Sequence, residues 1–482
     1  MSPRARIASI PVALAAAIGL SVAIGVAPPA AADPCTGAAA AAQPPAGAAA
    51  SPSLPSTGGL PIGHRPPGAN ARAPLPKLGQ LPAAILNAFV PHSARVQQQA
   101  AVVPPPNPPG TANQLPPNAA QPVPDAAAAP PPAPAAPPGT SLVGWVTGPD
   151  SPNNTIGRFA ISGTDLGIMW DNGDPANHQV LMAFGDTSGY CSVPGHQWRY
   201  NTLFRSQDGA LAKTISVPNG AVSNKYSGSP LWAPGISKQI IDSTKWAPSE
   251  TGIIPTAGIS AGRAQYLNFM SIKSWDANGA WTTNYSAIAV SPDNGEHWGV
   301  YPRTVRTPTP DGVPGAHYMP GNENFQQGAF LRPGPGDPYI YSFGTPSGRG
   351  GSAYLARVLP GNVPDLTKYQ YWNSDSNSWV PTNPAAATPV IPGPVGELSA
   401  QFNTYLKQYL VLYCNGANDV VARTAPAPQG PWGPEQLLVP SMQFPGGIYA
   451  PFLHPWSTGK DLYFNLSEWS SYNVMLMNTV LP

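Results

Sequence analysis

The chain has 482 residues, a net charge of +1 and only 10% charged side chains, with 66 prolines and 49 glycines. That length allows two to three average domains, and the absence of a basic excess or a basic run argues against a nucleic-acid partner. Three cysteines are too few for a disulfide framework, and no Cys or His pair stands at zinc-ligand spacing, so zinc is not expected; no metal-ligating residue and no cofactor is assigned, and a structural metal ion in a central funnel is left open.

Taken in order, residues 1–32 read as a secretory signal. Arg4 and Arg6 precede an apolar run from Ile7 to Val26, and Ala30-Ala31-Ala32 offers small residues for cleavage ahead of Asp33. The run is long enough for a retained anchor, the alternative reading, but Pro28-Pro29 and the small-residue site favour cleavage, so no span is expected after cleavage and the protein is placed outside the cytoplasm. Residues 33–139 form a Pro/Ala-rich linker with runs such as PPPNPPG and PDAAAAPPPAPAAPPGT. Such a composition buries too little apolar surface to offset chain entropy, so disorder with polyproline-II character is expected. Leu81–Val103 is the one island in which a short helix, broken at Pro91, is predicted. The linker reads as a spacer through a cell wall or as a plain tether. In an oxidising compartment Cys191 and Cys414, both in the globular part, are the expected pair, with Cys35 left free.

From Thr140 the composition changes to short alternating runs rich in Trp, Tyr and Phe, separated by Gly, Pro and Asn turns. The first informative stretch is GTDLGIMWDNGDPANHQVLMAFGDT, Gly163 to Thr187. Its two apolar runs flank Asn172-Gly173 and Pro175, which predicts a hairpin with Asp165 and Asp186 roughly opposite each other. Carboxylates held at facing strand ends suit acid/base hydrolysis; ordinary turn aspartates would give the same letters. Further on, Ser291-Pro-Asp293-Asn-Gly295-Glu-His-Trp298 matches the Asp box, the hairpin turn that recurs on propeller blades, and Ala427-Pro-Gln-Gly430-Pro-Trp432 is a degraded cousin. Some 340 residues of short strands are too many for one sandwich and favour repeated small sheets. The reading for 140–482 is therefore an all-β, five-bladed β-propeller. Blades are expected to begin near Gly144, Arg199, Gly258, Gln326 and Phe402, and the C-terminal strand Asn473–Val480 to close the ring against the N-terminal one.

Several segments together carry a family likeness: TDLGIMWDNG, FGDTSG, IPTAGIS, NENFQQGAF, YSFGTPSGRGGSAYLARV, YLVLYC, APQGPW and GGIYAPFLHP with SEWSSYNVMLM. Over roughly 142–482 the chain resembles the actinobacterial family of endo-D-arabinanases, glycoside hydrolase family 183, long filed as a domain of unknown function. The resemblance implies a five-bladed propeller that cuts the D-arabinan of arabinogalactan and lipoarabinomannan. It carries the catalytic aspartates onto Asp165 of TDLG and Asp186 of FGDT. In the family an aromatic follows the second motif, whereas Ser188-Gly189-Tyr190-Cys191 follows here, which bears on substrate preference.

Glu323 in GNENFQQG is the expected third carboxylate, and Arg349 in GRGG is expected to grip a sugar hydroxyl or to form a salt bridge. Trp170, Trp232, Tyr449, Trp469 and Tyr472 are candidates for stacking on sugar rings. His317 and His454 are candidate funnel residues, Glu468 is a carboxylate without a motif, and Asp171 is expected to be a turn former. The resulting expectation is a secreted, monomeric glycoside hydrolase whose partner is cell-wall arabinan. The alternative is a non-catalytic glycan-binding propeller of the envelope.

Overall fold

The computed structural model describes Cys35 and residues 139–482 apart from 277–279, 312, 314 and 315. The signal segment, the Leu81–Val103 helix and nearly all of the expected linker lie outside the described residues. Among the described residues no helix is long and apolar enough to cross a membrane.

The strands follow one another with short turns. β1 (Thr140–Trp145) precedes the first blade, built from β2 (Leu166–Asp171), β3 (Val180–Phe184) and β4 (Thr202–Ser206). A two-stranded ribbon, β5 (Leu231–Ala233) with β6 (Ile236–Ser237), leads to the second blade of β7 (Gly252–Ala261), β8 (Ala264–Trp275), β9 (Trp281–Ser291) and β10 (Gly299–Val300). The third blade has five strands: β11 (Gln327–Leu331), β12 (Ile340–Thr345), β13 (Tyr354–Val358), β14 (Gln370–Asn373) and β15 (Ser378–Pro381). The fourth has β16 (Leu398–Asn403), β17 (Gln408–Cys414), β18 (Val420–Ala425) and β19 (Gln436–Val439). The last combines β20 (Ile448–Leu453), β21 (Asp461–Glu468) and β22 (Asn473–Val480) with β1, in the order β1-β22-β21-β20.

The molecule is thus a five-bladed β-propeller, as expected. The innermost strands β2, β7, β11, β16 and β20 each lie beside the next, and β20 returns against β2. Closure is also as expected: β1 runs antiparallel to β22, Thr140 facing Thr479. Joining first and last strands in one sheet abolishes the seam at which an open ring would fray.

Blade boundaries are only partly as expected. Gln326 immediately precedes β11, and Gly258 and Phe402 fall inside the inner strands β7 and β16. Gly144, however, lies in the closing strand β1, and Arg199 stands in the connection ahead of β4, while the last blade opens at Ile448. The reason is physical: a blade buried on both faces makes inner and outer strands equally apolar, so pattern locates strands without ranking them. In β3, for example, all five residues are buried.

The Asp box closes the β9–β10 turn. Ser291 Oγ donates to Asp293 Oδ1 (2.9 Å) and accepts from the Gly295 N–H (2.9 Å). Gly295 has φ +79°, a conformation open to glycine, and a β-carbon there would strike the Leu203 side chain of the neighbouring blade. Trp298 meets Trp170 edge-on at 6.5 Å, so the box ties the first two blades together.

The cysteine expectation is overturned. Cys35 pairs with Cys191, Cα atoms 5.4 Å apart, and Cys414 is a free, buried thiol at the end of β17. Cys191 belongs to the connection between β3 and β4 in the first blade and Cys414 to the fourth, a separation that their places in the sequence do not reveal. Burial pushes the Cys414 thiol's pKa well above its ordinary value, leaving an inert apolar side chain.

Candidate active site

A narrow cavity opens at the N-terminal ends of the inner strands. Three of these strands carry a bulge there: between Leu166 and Ile168 in β2, Pro255 and Ala257 in β7, and Tyr449 and Phe452 in β20. A bulge breaks strict alternation and re-aims side chains, which is why such irregularities gather beside functional sites. In β2 the bulge rests on left-handed Leu166 (φ +70°) and Gly167 (φ +72°). It is pinned by the Leu166 N–H to Ser467 Oγ (2.9 Å) and by Asn465 Nδ2 to the Gly167 carbonyl (2.8 Å).

That arrangement delivers Asp165. The predicted hairpin is present, with Asn172 N–H bonded to the Gln179 carbonyl across its turn (2.9 Å) and Leu166 facing Phe184. Asp165 therefore stands opposite Gly185, whose N–H donates to the Asp165 carbonyl (3.2 Å). A β-carbon at Gly185 would collide with Asp165 Oδ1, so glycine at this position makes room for the Asp165 carboxylate. Asp186, only 2% exposed, is fixed by its neighbours: Thr187 pairs with Arg199 through both backbone groups and shares a hydroxyl bond with Thr164 (2.7 Å). Both carboxylates line the cavity.

Tyr449 and Arg349 line the same cavity. The Tyr449 hydroxyl donates to Asp165 Oδ2 at 2.9 Å. Burial, and next the charge of Asp165, raise the phenol's pKa well above its ordinary value, so it stays protonated and remains the donor. Arg349 forms a two-pronged ion pair with Glu397, Nε to Oε2 at 3.1 Å and Nη2 to Oε1 at 2.6 Å. Its guanidinium also lies 5.0 Å from the Trp281 ring and 5.5 Å from the Tyr449 ring. Burial works against this charge, but Glu397 outweighs it and keeps the arginine pKa above its ordinary value. Of the two readings of Arg349, the salt bridge is the one present. Trp275, Trp281 and Trp469 wall the cavity, Trp275 with Trp281 edge-on at 6.2 Å and Trp469 against Tyr449 at 5.2 Å.

Three expected site residues stand elsewhere. Glu323 sits in the single turn Asn322–Phe325 and folds back to accept from the Gly321 N–H (2.8 Å), capping its own turn instead of lining the cavity. Trp170 is buried between blades, its Nε1 bonded to Gln265 Oε1 (2.9 Å) and its ring pressed against Gly258. It points this way because the strand that delivers Asp165 at its start has passed this cavity by residue 170, where it borders the cavity at the opposite end. His317 is an exposed loop residue away from the lining. Of the lower-ranked candidates, Trp469 lines the cavity whereas Trp232, His454, Glu468 and Tyr472 do not. Asp171 is the expected turn former, accepting from the Gly173 N–H at 2.7 Å.

Glu397 was not singled out in the sequence. Its signal was present in PVGELSA: like Asp165 before Leu166, it is a carboxylate one residue ahead of an inner strand. Among the described residues no group of three or more His, Cys, Asp or Glu side chains is placed to hold a metal ion.

Known proteins resemble the chain at three levels. The notoamide biosynthesis cluster protein J' of Aspergillus versicolor is 26% identical over 336 residues, 65% of this chain and 83% of that protein. The homologous protein J of Aspergillus sp. (strain MF297-2) is 26% identical over 339 residues, 67% and 84% of the two chains. Among solved structures, the catalytic domain of a Coprinopsis cinerea GH62 alpha-L-arabinofuranosidase superposes with a TM-score of 0.39 at 13% identity over 71% of this chain and 97% of that one. A Xanthomonas citri GH43_1 enzyme complexed with xylotriose gives 0.37 at 12% identity over 66% and 86%. Likeness at this level extends to no substrate or reaction. The family described as "Domain of unknown function (DUF4185)" matches residues 150–478, and the chain belongs to it.

Proposed function

We propose that this propeller is a secreted glycoside hydrolase acting on the D-arabinan of cell-wall arabinogalactan and lipoarabinomannan. The observation that carries the reading is that Asp165 and Asp186, at the ends of one hairpin, both line an aromatic-walled central cavity. One carboxylic acid protonates the departing glycosidic oxygen while the other carboxylate attacks the anomeric carbon or activates water. The Tyr449 hydroxyl fixes the orientation of Asp165. The Arg349–Glu397 pair presents charged hydrogen-bonding groups to sugar hydroxyls, and the tryptophan faces suit the C–H faces of sugar rings. The chemistry calls for water and no cofactor.

The choice of D-arabinan rests on the family resemblance of the motifs around both aspartates. Export rests on the signal-like residues 1–32, and the Cys35–Cys191 disulfide supports it, since such bonds persist in oxidising compartments. A chain cut after Ala32 and acting as a monomer in the wall is the corresponding picture.

The test is incubation of the purified mature chain with mycobacterial-type arabinogalactan. Release of a ladder of arabino-oligosaccharides supports endo-hydrolysis. Retention on an arabinan column without any product would replace the reading with that of a glycan-binding propeller.

A further inference from the structure

The channel has a second opening. The C-terminal halves of the same inner strands border a wider cavity at the other end, and Thr256 and Phe452 stand between the two cavities. The walls are apolar, with Ile259, Phe330 and Leu453 buried along them. Phe402 is half-buried against Gly334, giving a flat ring face on the lining.

Two polar groups on that wall are placed for a ligand. Gln401 is 9% exposed, and its Nε2 donates to the Ser457 carbonyl at 3.0 Å, which fixes the amide's orientation because a carbonyl only accepts. Its Oε1 is then an acceptor, buried and with no hydrogen-bond donor among the described residues. A buried acceptor left without a donor is costly, so the position calls for a hydroxyl or N–H. Arg332 is exposed at the rim and spends one N–H on the Ser260 carbonyl (2.5 Å), leaving a fan of further donors. Asp171, also on the lining, sets one negative charge against that positive one. The balance disfavours phosphates and polycations and suits a neutral ligand that has hydroxyls and apolar faces.

We propose that this opposite mouth is a binding site for a neutral oligosaccharide. One sugar hydroxyl donates to Gln401 Oε1, a sugar oxygen accepts from Arg332, and a ring face packs on Phe402. The site is separate from the carboxylates and holds a glycan without cutting it. It rests on the hydrolase reading only for the choice of D-arabinan as probe.

The experiment is calorimetric titration of the full mature chain carrying Asp186→Asn with D-arabino-oligosaccharides, alone and combined with Gln401→Leu or Arg332→Ala. The expected stoichiometry is two, falling to one in either combination. Arg332→Ala changes an exposed rim residue and so guards against a Gln401→Leu chain that fails to fold. A stoichiometry of one that neither substitution alters would overturn the proposal while leaving the hydrolase reading intact. Conversely, if the unsubstituted chain releases no product yet binding still depends on Gln401 and Arg332, the hydrolase reading falls and the second site stands.

Discussion

The two ends of the inner strands are built from the same five segments of chain and differ in what they present. At the N-terminal ends, bulges in β2, β7 and β20 break alternation, and the cavity gathers Asp165, Asp186, Glu397, Arg349 and Tyr449. At the C-terminal ends alternation is regular, the lining is mostly apolar, and Trp170 has become a wedge between blades. Reactive groups thus gather where backbone regularity is given up, and packing dominates where it is kept.

The comparison is broken most decisively at the first end. Asp165→Asn should lower hydrolysis of soluble arabinan by about 10²-fold to 10⁴-fold, the usual scale for a positioned acid or base, while the melting temperature stays nearly unchanged. Equal losses of activity and of melting temperature would make Asp165 a structural turn residue.

At the other end the order of effects should reverse. Trp170→Ala removes a buried ring and a hydrogen bond to Gln265, so a loss of about 3–5 kcal/mol in urea unfolding is expected. A stable variant with lost binding would restore Trp170 to a ligand role.

The disulfide ranks next. Cys35→Ser should cost about 2–4 kcal/mol, because the bond closes a loop across a sequence separation of 156. Proteolytic nicking between Cys35 and Thr140 should leave one species on a non-reducing gel and two after reduction; two species without reductant would contradict the pairing.

His454 supplies a pH dependence. Burial lowers its pKa from 6.5 to about 4, so the unfolded chain binds the proton more readily between those values. The contribution to stability is full above about 6.5, declines as pH falls through that window and is gone near 4, an effect of the order of a few kcal/mol. His454→Asn should flatten the urea midpoint between pH 7 and 4.5, and an unchanged slope would refute the assignment. The smallest effect belongs to Glu323→Gln. Activity should remain within about twofold and stability within about 0.5 kcal/mol, since the carboxylate only caps its own turn.

Much of the fold was legible in the amino-acid sequence. The complete Asp box at Ser291–Trp298 and the run of short alternating segments led to a five-bladed ring and its β1–β22 closure. The Asp165–Asp186 hairpin was legible because its turn chemistry is local, whereas Trp170 and Glu323 depended on which way a side chain faces after a bulge or a tight turn. Glu397 was missed because a glutamate after Val-Gly is unremarkable until Leu398 is known to open an inner strand. The Cys35–Cys191 bond was hidden for the same reason as the blade order: contacts between segments 156 residues apart leave no periodic trace.

The most direct test of where the chemistry lies is the rate of reducing-end release from soluble D-arabinan by Asp186→Asn, with its melting temperature taken on the same sample. A rate reduced by about 10²-fold or more at an unchanged melting temperature is the predicted result. A variant that cuts arabinan at the rate of the unsubstituted chain would contradict the placement of the active site at the N-terminal ends of the inner strands.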